Sequence, residues 1–279
     1  MENIVVEDNI LPLDLLLEKV YRGGGYDFRD YKRGTVNRRL ARRLHVTGVM
    51  TYPEYMEFLD NHPEEYKRLA DELTIKVSGF FRSPHTFQQV ARLVLPELLS
   101  GKEARREGRL QFWSTACARG EEPYSIAILL AEFLRQRPQS IDISINATDI
   151  SQWALGKAQA GIYSLKDTEG LSPTVLPEYF IQHDQCYEVR ADIRDMVSFS
   201  HFDLTSTGRA PFQGLDCVFC CNVLIYLQKQ LQERVLGMLY DSLATPGYLI
   251  LGEVETPPSE IREKLECLDS RAKIYKKVA

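Results

Sequence analysis

From about residue 85 onward, short apolar runs of strand type take turns with stretches of helical periodicity, and this alternation constrains the fold more than any other feature of the chain. A helix opens at Ser83-Pro84 and runs to about Leu99, with Gly101 closing it. Leu110–Ser114 reads as a strand, Pro123–Leu134 as a helix, Ile141–Thr148 as a strand, and Ser151–Ala160 as a helix stopped by Gly161. Later, Asp216–Cys221 reads as a strand and Gln228–Leu243 as a helix with Leu231, Val235, Met238 and Leu239 on one side. Pro246-Gly247 then turns the chain into a strand at Tyr248–Leu251. Such alternation requires an α/β fold, a parallel sheet with helices on both faces. Residues 180–200 interrupt it in short bursts without a useful helix, and predict a small antiparallel excursion.

Before residue 85 the pattern is helical throughout. Leu13, Leu16, Leu17, Val20 and Tyr21 keep i, i+3, i+4 spacing until Gly23-Gly24-Gly25, and Val36, Leu40 and Leu44 form a second stripe within 31–44. Thr51-Tyr52-Pro53-Glu54 reads as a capping box opening a third helix through Leu59. Leu69, Leu73 and Ile75 carry a fourth toward Phe80-Phe81. The expected organisation is an all-α domain over 1–84, an α/β domain over 85–279, and an inserted β-subdomain at about 180–200.

Several classes fall away on composition. A net charge of −5 argues against a chain-wide nucleic-acid surface, and no apolar run approaches the ~18 residues of a membrane span. The opening MENIVVEDNILPLDLLL is acidic where an export signal is basic, so the cytoplasm is the expected compartment. Cys217-x-x-Cys220 lies in a continuous apolar run with no second ligand pair, so the cysteines read as reduced core residues and no metal is expected.

In an open parallel sheet, ligands bind beyond the carboxyl ends of the strands, where the order reverses. The first such end is Ala116-Cys117-Ala118-Arg119-Gly120-Glu121-Glu122, before a helix. Small residues and a glycine would let a ligand approach the backbone. The dinucleotide fingerprint G-x-G-x-x-G is absent, and two glutamates stand where a pyrophosphate would sit. They suit a cationic ligand, or they merely complement the helix dipole. The second strand ends in Asp149, either a ribose ligand or a plain N-cap. A positively charged nucleoside without phosphate fits both ends, which describes S-adenosylmethionine. The third end carries Asn222, placed to bind an amino or carboxylate group, and Tyr226, placed to close over a reacting centre. As plain structure, these two are a turn residue and a core aromatic.

KVSGFFRS, WSTACARGEEPYSIA, ATDISQWALGKAQAGIY, FCCNVLIYL and PGYLILGEVE occur in the order found in chemotaxis receptor methyltransferases of the CheR type, and the chain resembles that family over about 10–279. The resemblance implies a Rossmann-like methyltransferase sheet behind a small helical domain. It also implies transfer of methyl groups from S-adenosylmethionine, leaving S-adenosylhomocysteine, to glutamates on cytoplasmic helices of chemoreceptors. It assigns Lys76, Ser78 and Arg82 to the cofactor pocket, and Glu122 (or Glu121) and Asp149 to the methionine or ribose portions. Asp203-Leu204 and Asn222 fall on the adenosine side, Cys221 among the cofactor-binding residues, and Arg82 and Tyr226 nearest the methyl group, as catalytic residues. Three positions depart from the family pattern: Lys76 stands where Asn is usual, Ser78 where Thr is, and Cys221 where Arg is. Another methyl acceptor, or a catalytically idle receptor-docking module, are the alternative readings.

The second helix suggests where a receptor would bind. Arg29, Lys32, Arg33, Arg38, Arg39, Arg42 and Arg43 are offset by Asp30 alone, while 44–66 carries five acids and no Lys or Arg. Arg38, Arg39, Arg42 and Arg43 make two i, i+4 pairs, a basic face for a glutamate-rich helix; neutralisation by the acidic segment behind it is the structural alternative. A monomer acting on chemoreceptor helices, without nucleic acid or membrane insertion, is the expected arrangement.

Overall fold

The computed structural model describes residues 10–74, 78–135, 137, 141–206 and 208–278. Lys76 lies outside them.

Four helices open the chain: α1 (Ile10–Gly24), α2 (Arg33–Thr47), α3 (Tyr52–Asn61) and α4 (Glu64–Leu73). Most of the apolar stripes that predicted them are buried, with Leu16, Leu17, Val20, Leu40, Tyr55, Leu59 and Leu69 fully enclosed, whereas Tyr21 is 42% exposed and Ile75 lies outside the described residues. At the start of α3, Thr51 accepts the N–H of Glu54, and the Glu54 carboxylate accepts the N–H of Thr51. α2 stops at Gly48, whose φ of 77° is the left-handed cap. A distant stretch, 226–231, belongs to the same unit. Leu227 bridges Tyr31 antiparallel, the Lys32 N–H donates to the Tyr226 carbonyl at 2.8 Å, and the Gln228 N–H to that of Asp30 at 2.8 Å.

The basic face of α2 is narrower than its sequence suggests. Arg43 grips the buried Glu65 through Nε and Nη2 at 2.6–2.8 Å, and the Tyr55 hydroxyl donates to the same carboxylate at 2.7 Å. Arg39 donates to the Glu72 carbonyl at 3.0 Å. These two arginines are internal struts, because α4 brings its carboxylates under α2. Arg38 and Arg42 point outward; Arg42 reaches Glu72 at 3.4 Å while its side chain stays 71% exposed.

The α/β unit begins at residue 76 rather than at 85. Its first helix is interrupted: α5 (Pro84–Gln89) passes through a π turn at Val90–Val94 into α6 (Leu95–Arg105). The Leu95 N–H reaches back five residues to Val90, and Pro96 follows. Proline has no N–H to continue the α register, so the widened turn precedes it. Gly101 does not end this helix; Arg106, left-handed at φ 56°, does. Next come β1 (Arg109–Thr115), α7 (Glu121–Arg135), β2 (Asp142–Asp149) and α8 (Gln152–Ala160).

The inserted subdomain is a three-stranded antiparallel sheet of β3 (Ile162–Ser164), β4 (Phe180–Gln182) and β5 (Cys186–Val189), ordered β3-β5-β4, with α9 (Leu165–Thr168) and α10 (Val175–Tyr179) inside it. It therefore starts well before residue 180. After α11 (Ala191–Arg194), β6 (Val197–His201) lies outside it, pairing parallel with β2. Then follow β7 (Leu215–Cys220), α12 (Lys229–Ser242), β8 (Leu243–Leu251), β9 (Leu265–Asp269) and β10 (Ile274–Lys277). The main sheet runs β6-β2-β1-β7-β8-β10-β9. Its last two strands are antiparallel additions, so the sheet is mixed rather than purely parallel. β7 is buried along its whole length, its two thiols included, and Trp113 of β1 is fully enclosed.

Candidate functional site

The strand order reverses between β1 and β7: the chain builds outward from β1 to β2 and β6, then crosses to β7 and β8 on the other side. The parallel register sets Ser114 opposite Phe219, and Cys220 opposite Leu251, so the carboxyl ends of these strands form one rim. A crevice at that reversal is where such sheets bind ligands.

The loop after β1 is wound tightly, with Ala116, Ala118 and Gly120 at φ 50°, 49° and 93°. Left-handed alanines are unfavourable by roughly 1–2 kcal/mol each, and neighbouring strands hold them in place. The Cys117 N–H donates to the Thr148 carbonyl at 2.9 Å, and the Ala118 N–H to Asp149 Oδ2 at 2.9 Å. Asp149 Oδ1 takes the Ser151 N–H at 2.8 Å. Asp149 therefore fixes the shape of the β1 loop. It does not cap α8; Ser151 does. Gly120 serves packing rather than ligand approach: a Cβ there would meet the Ala158 methyl at 2.8 Å and the Tyr163 hydroxyl at 3.0 Å.

The two glutamates part ways. Glu121 is fully buried and paired with Arg119 at 2.7 Å, which Asp167 shares at 2.9 Å. Ser78 hydrogen-bonds the same carboxylate. Glu122 accepts from Ser114 Oγ at 2.7 Å, with the Cys221 thiol also within hydrogen-bond reach. Burial pushes its carboxyl up to about 7, and the Glu255 charge adds to this, while Ser114, Cys221 and Arg82 oppose it. Burial likewise pushes the Cys221 thiol well above its ordinary value, so it stands there as a neutral donor. Arg82 is exposed, on the segment whose Phe81 N–H donates to Ser125 Oγ at 2.8 Å.

On the far side of the reversal, Asn222 follows β7 at φ 61°. Its N–H donates to the carboxylate of Glu255, a buried residue whose role the sequence did not reveal. Only its place in the GEVE run hinted at it. Asp203 folds onto its own loop, accepting from the N–H and hydroxyl of Thr205, with Leu204 buried beside it. That loop is tied to the end of β2 by the Phe202 N–H, which donates to the Asp149 carbonyl at 3.2 Å. Ser78, Arg82, Glu122, Asp149, Asp203, Leu204, Cys221 and Asn222 all belong to the α/β unit, whereas Tyr226 is grouped with the helical unit.

These residues suit S-adenosylmethionine. Burial lets Glu122 hold a proton up to about neutrality; an arriving sulfonium and ammonium would favour its ionised form. A phosphate would meet the same carboxylates and be repelled. Among the described residues, no group of His, Cys, Asp and Glu could hold a metal ion.

The strand order and the acidic residues at its reversal fit one class, the S-adenosylmethionine-dependent methyltransferases. Comparison with known proteins narrows this. Residues 76–274 match the model of the CheR methyltransferase SAM binding domain, and 12–74 that of the CheR methyltransferase all-alpha domain. The chemotaxis protein methyltransferase of Salmonella typhimurium is 33% identical over 254 residues, covering 89% of this chain and 84% of that protein. A putative methyltransferase, Cher3, of Pseudomonas putida is 32% identical over 277 residues, 96% of this chain and 97% of that one. The chain also matches an uncharacterised 104.1 kDa protein of Rhodobacter capsulatus at 32% identity, spanning 27% of its length. The chain belongs to the CheR methyltransferase family.

Proposed function

We propose that the chain is a protein-glutamate O-methyltransferase of the cytoplasm, which esterifies glutamate side chains on the cytoplasmic helices of chemoreceptors. The observation that carries this reading is its 33% identity to chemotaxis protein methyltransferases, including that of Escherichia coli, over four fifths or more of both chains. Bound S-adenosylmethionine supplies an electrophilic methyl group on a sulfonium. The acceptor glutamate, with an ordinary pKa near ~4.3, arrives ionised at neutral pH, so no general base is needed. The enzyme's task is then alignment, worth roughly 7–11 kcal/mol in favourable cases. Arg82, exposed and charged, would hold the acceptor carboxylate in its fork of donors. Asp149 and Glu122 would hold the ribose and the cationic end, with Ser78, Asp203, Leu204, Cys221 and Asn222 around the remainder. The outward face of α2, Arg38 and Arg42, offers charge to an acidic receptor helix.

The test is transfer of a labelled methyl group from S-adenosylmethionine to receptor cytoplasmic fragments. Base-labile label with the wild type, lost in Arg82→Ala and Asp149→Ala, is expected. Label that resists base, or none on any fragment, contradicts the reading.

A further inference from the structure

Glu255 is 3% exposed, at the turn after β8, and gathers backbone donors from two directions. Its Oε2 accepts the N–H groups of Gly252 and Asn222, each at 2.8 Å, and its Oε1 accepts that of Ile225 at 3.3 Å. The Leu224 N–H also contributes. A single carboxylate thus organises the loop leaving β7, which turns through left-handed Asn222 into the short 3-10 turn Leu224–Tyr226. Gly252 makes the arrangement possible: a Cβ there would lie 2.7 Å from Glu255 Oε2 and 2.8 Å from both nitrogens of Asn222.

We propose that Glu255 is a positioning residue of the cofactor site, its carboxylate setting the backbone path that carries Cys221 and Asn222 to the rim of the crevice. A carboxylate suits this role better than an amide. Four converging N–H groups need acceptors on both oxygens, and a glutamine would turn an NH2 group toward some of them. Its charge also acts on Glu122. Glu122 is faced by Ser114 from β1, by Cys221 from the β7 loop, by Arg82 from the segment before α5, and by the charge of Glu255.

The inference rests on cofactor binding at this crevice, and calorimetric titration with S-adenosylmethionine separates the two ideas. Wild type is expected to bind. Glu255→Gln is expected to bind about tenfold or more weakly, with its pH midpoint for binding moved down because Glu122 loses a negative neighbour. Glu253→Gln, an exposed charge two residues away, is expected to match wild type. Gly252→Ala keeps every charge but crowds the carboxylate, and is expected to weaken binding as Glu255→Gln does; it serves should that variant fail to fold. Wild-type affinity and pH profile in the folded Glu255→Gln chain, or in Gly252→Ala, overturn the inference alone. Failure of the wild type to bind overturns the cofactor site and the inference with it.

Discussion

Glu121 and Glu122 are adjacent and chemically identical, yet they do different things. The first is sealed against Arg119; the second stands beside Ser114 and Cys221 with its carboxyl pushed up to about 7. In the folded chain Glu122 keeps a proton that the unfolded chain releases near its ordinary 4.5. Stability of the cofactor-free protein is therefore expected to fall as pH rises from about 4.5 to 7. Denaturation midpoints across that window check this, with Glu122→Gln flattening the slope; an unchanged slope contradicts it. A sulfonium favours the ionised form, so S-adenosylmethionine affinity should rise by up to about tenfold per pH unit below 7, with a proton released on binding. Titration heats in buffers of different ionisation enthalpy measure that proton. The sequence told us that acids stood where phosphate would sit, but only the fold separates the strut from the ligand candidate. Glu255 was less legible still, since its partners are backbone groups of a loop some thirty residues earlier.

At the scale of elements, what had period was read and what lacked it was not. The stripes of α1 and α2, the capping box of α3 and the alternation from β1 to α8 follow from local pattern. Strands β3 and β4, three residues each, are too short to show alternation, so local pattern places the start of the subdomain too late in the chain. The arginines of α2 show the same limit. Helical spacing put four on one face, but which ones pair depends on where α4 lies. Arg43→Ala would leave Glu65, 1% exposed, with only the more distant Arg68 at 3.9 Å for a cation, and is expected to destabilise by up to about 3–5 kcal/mol. Arg38→Ala is expected to change stability by less than about 0.5 kcal/mol. Urea titration of both checks the contrast. Gly120→Ala, strained by φ 93° and blocked by Ala158, is expected to cost at least about 1–3 kcal/mol, and near-neutral stability would contradict the packing role.

At the scale of the molecule, one chain supplies a helical unit with an outward basic stripe and an α/β unit with an acidic crevice. The first suits an acidic protein surface, the second a cationic small molecule, and opposite charges keep the two tasks distinct. Charge reversal at Arg38 and Arg42 is accordingly expected to lower receptor methylation by about tenfold or more in kcat/KM. Cofactor affinity should stay at the wild-type value, and a parallel loss of both would contradict that division. The central claim is that the acidic rim between β1 and β7 holds the cofactor. A crystal structure with S-adenosylhomocysteine tests it most directly. The ligand should lie across the carboxyl ends of β1, β2 and β7, its ribose toward Asp149 and its amino-acid end toward Glu122. A nucleoside seated elsewhere, with Glu122 and Asp149 untouched, would contradict it.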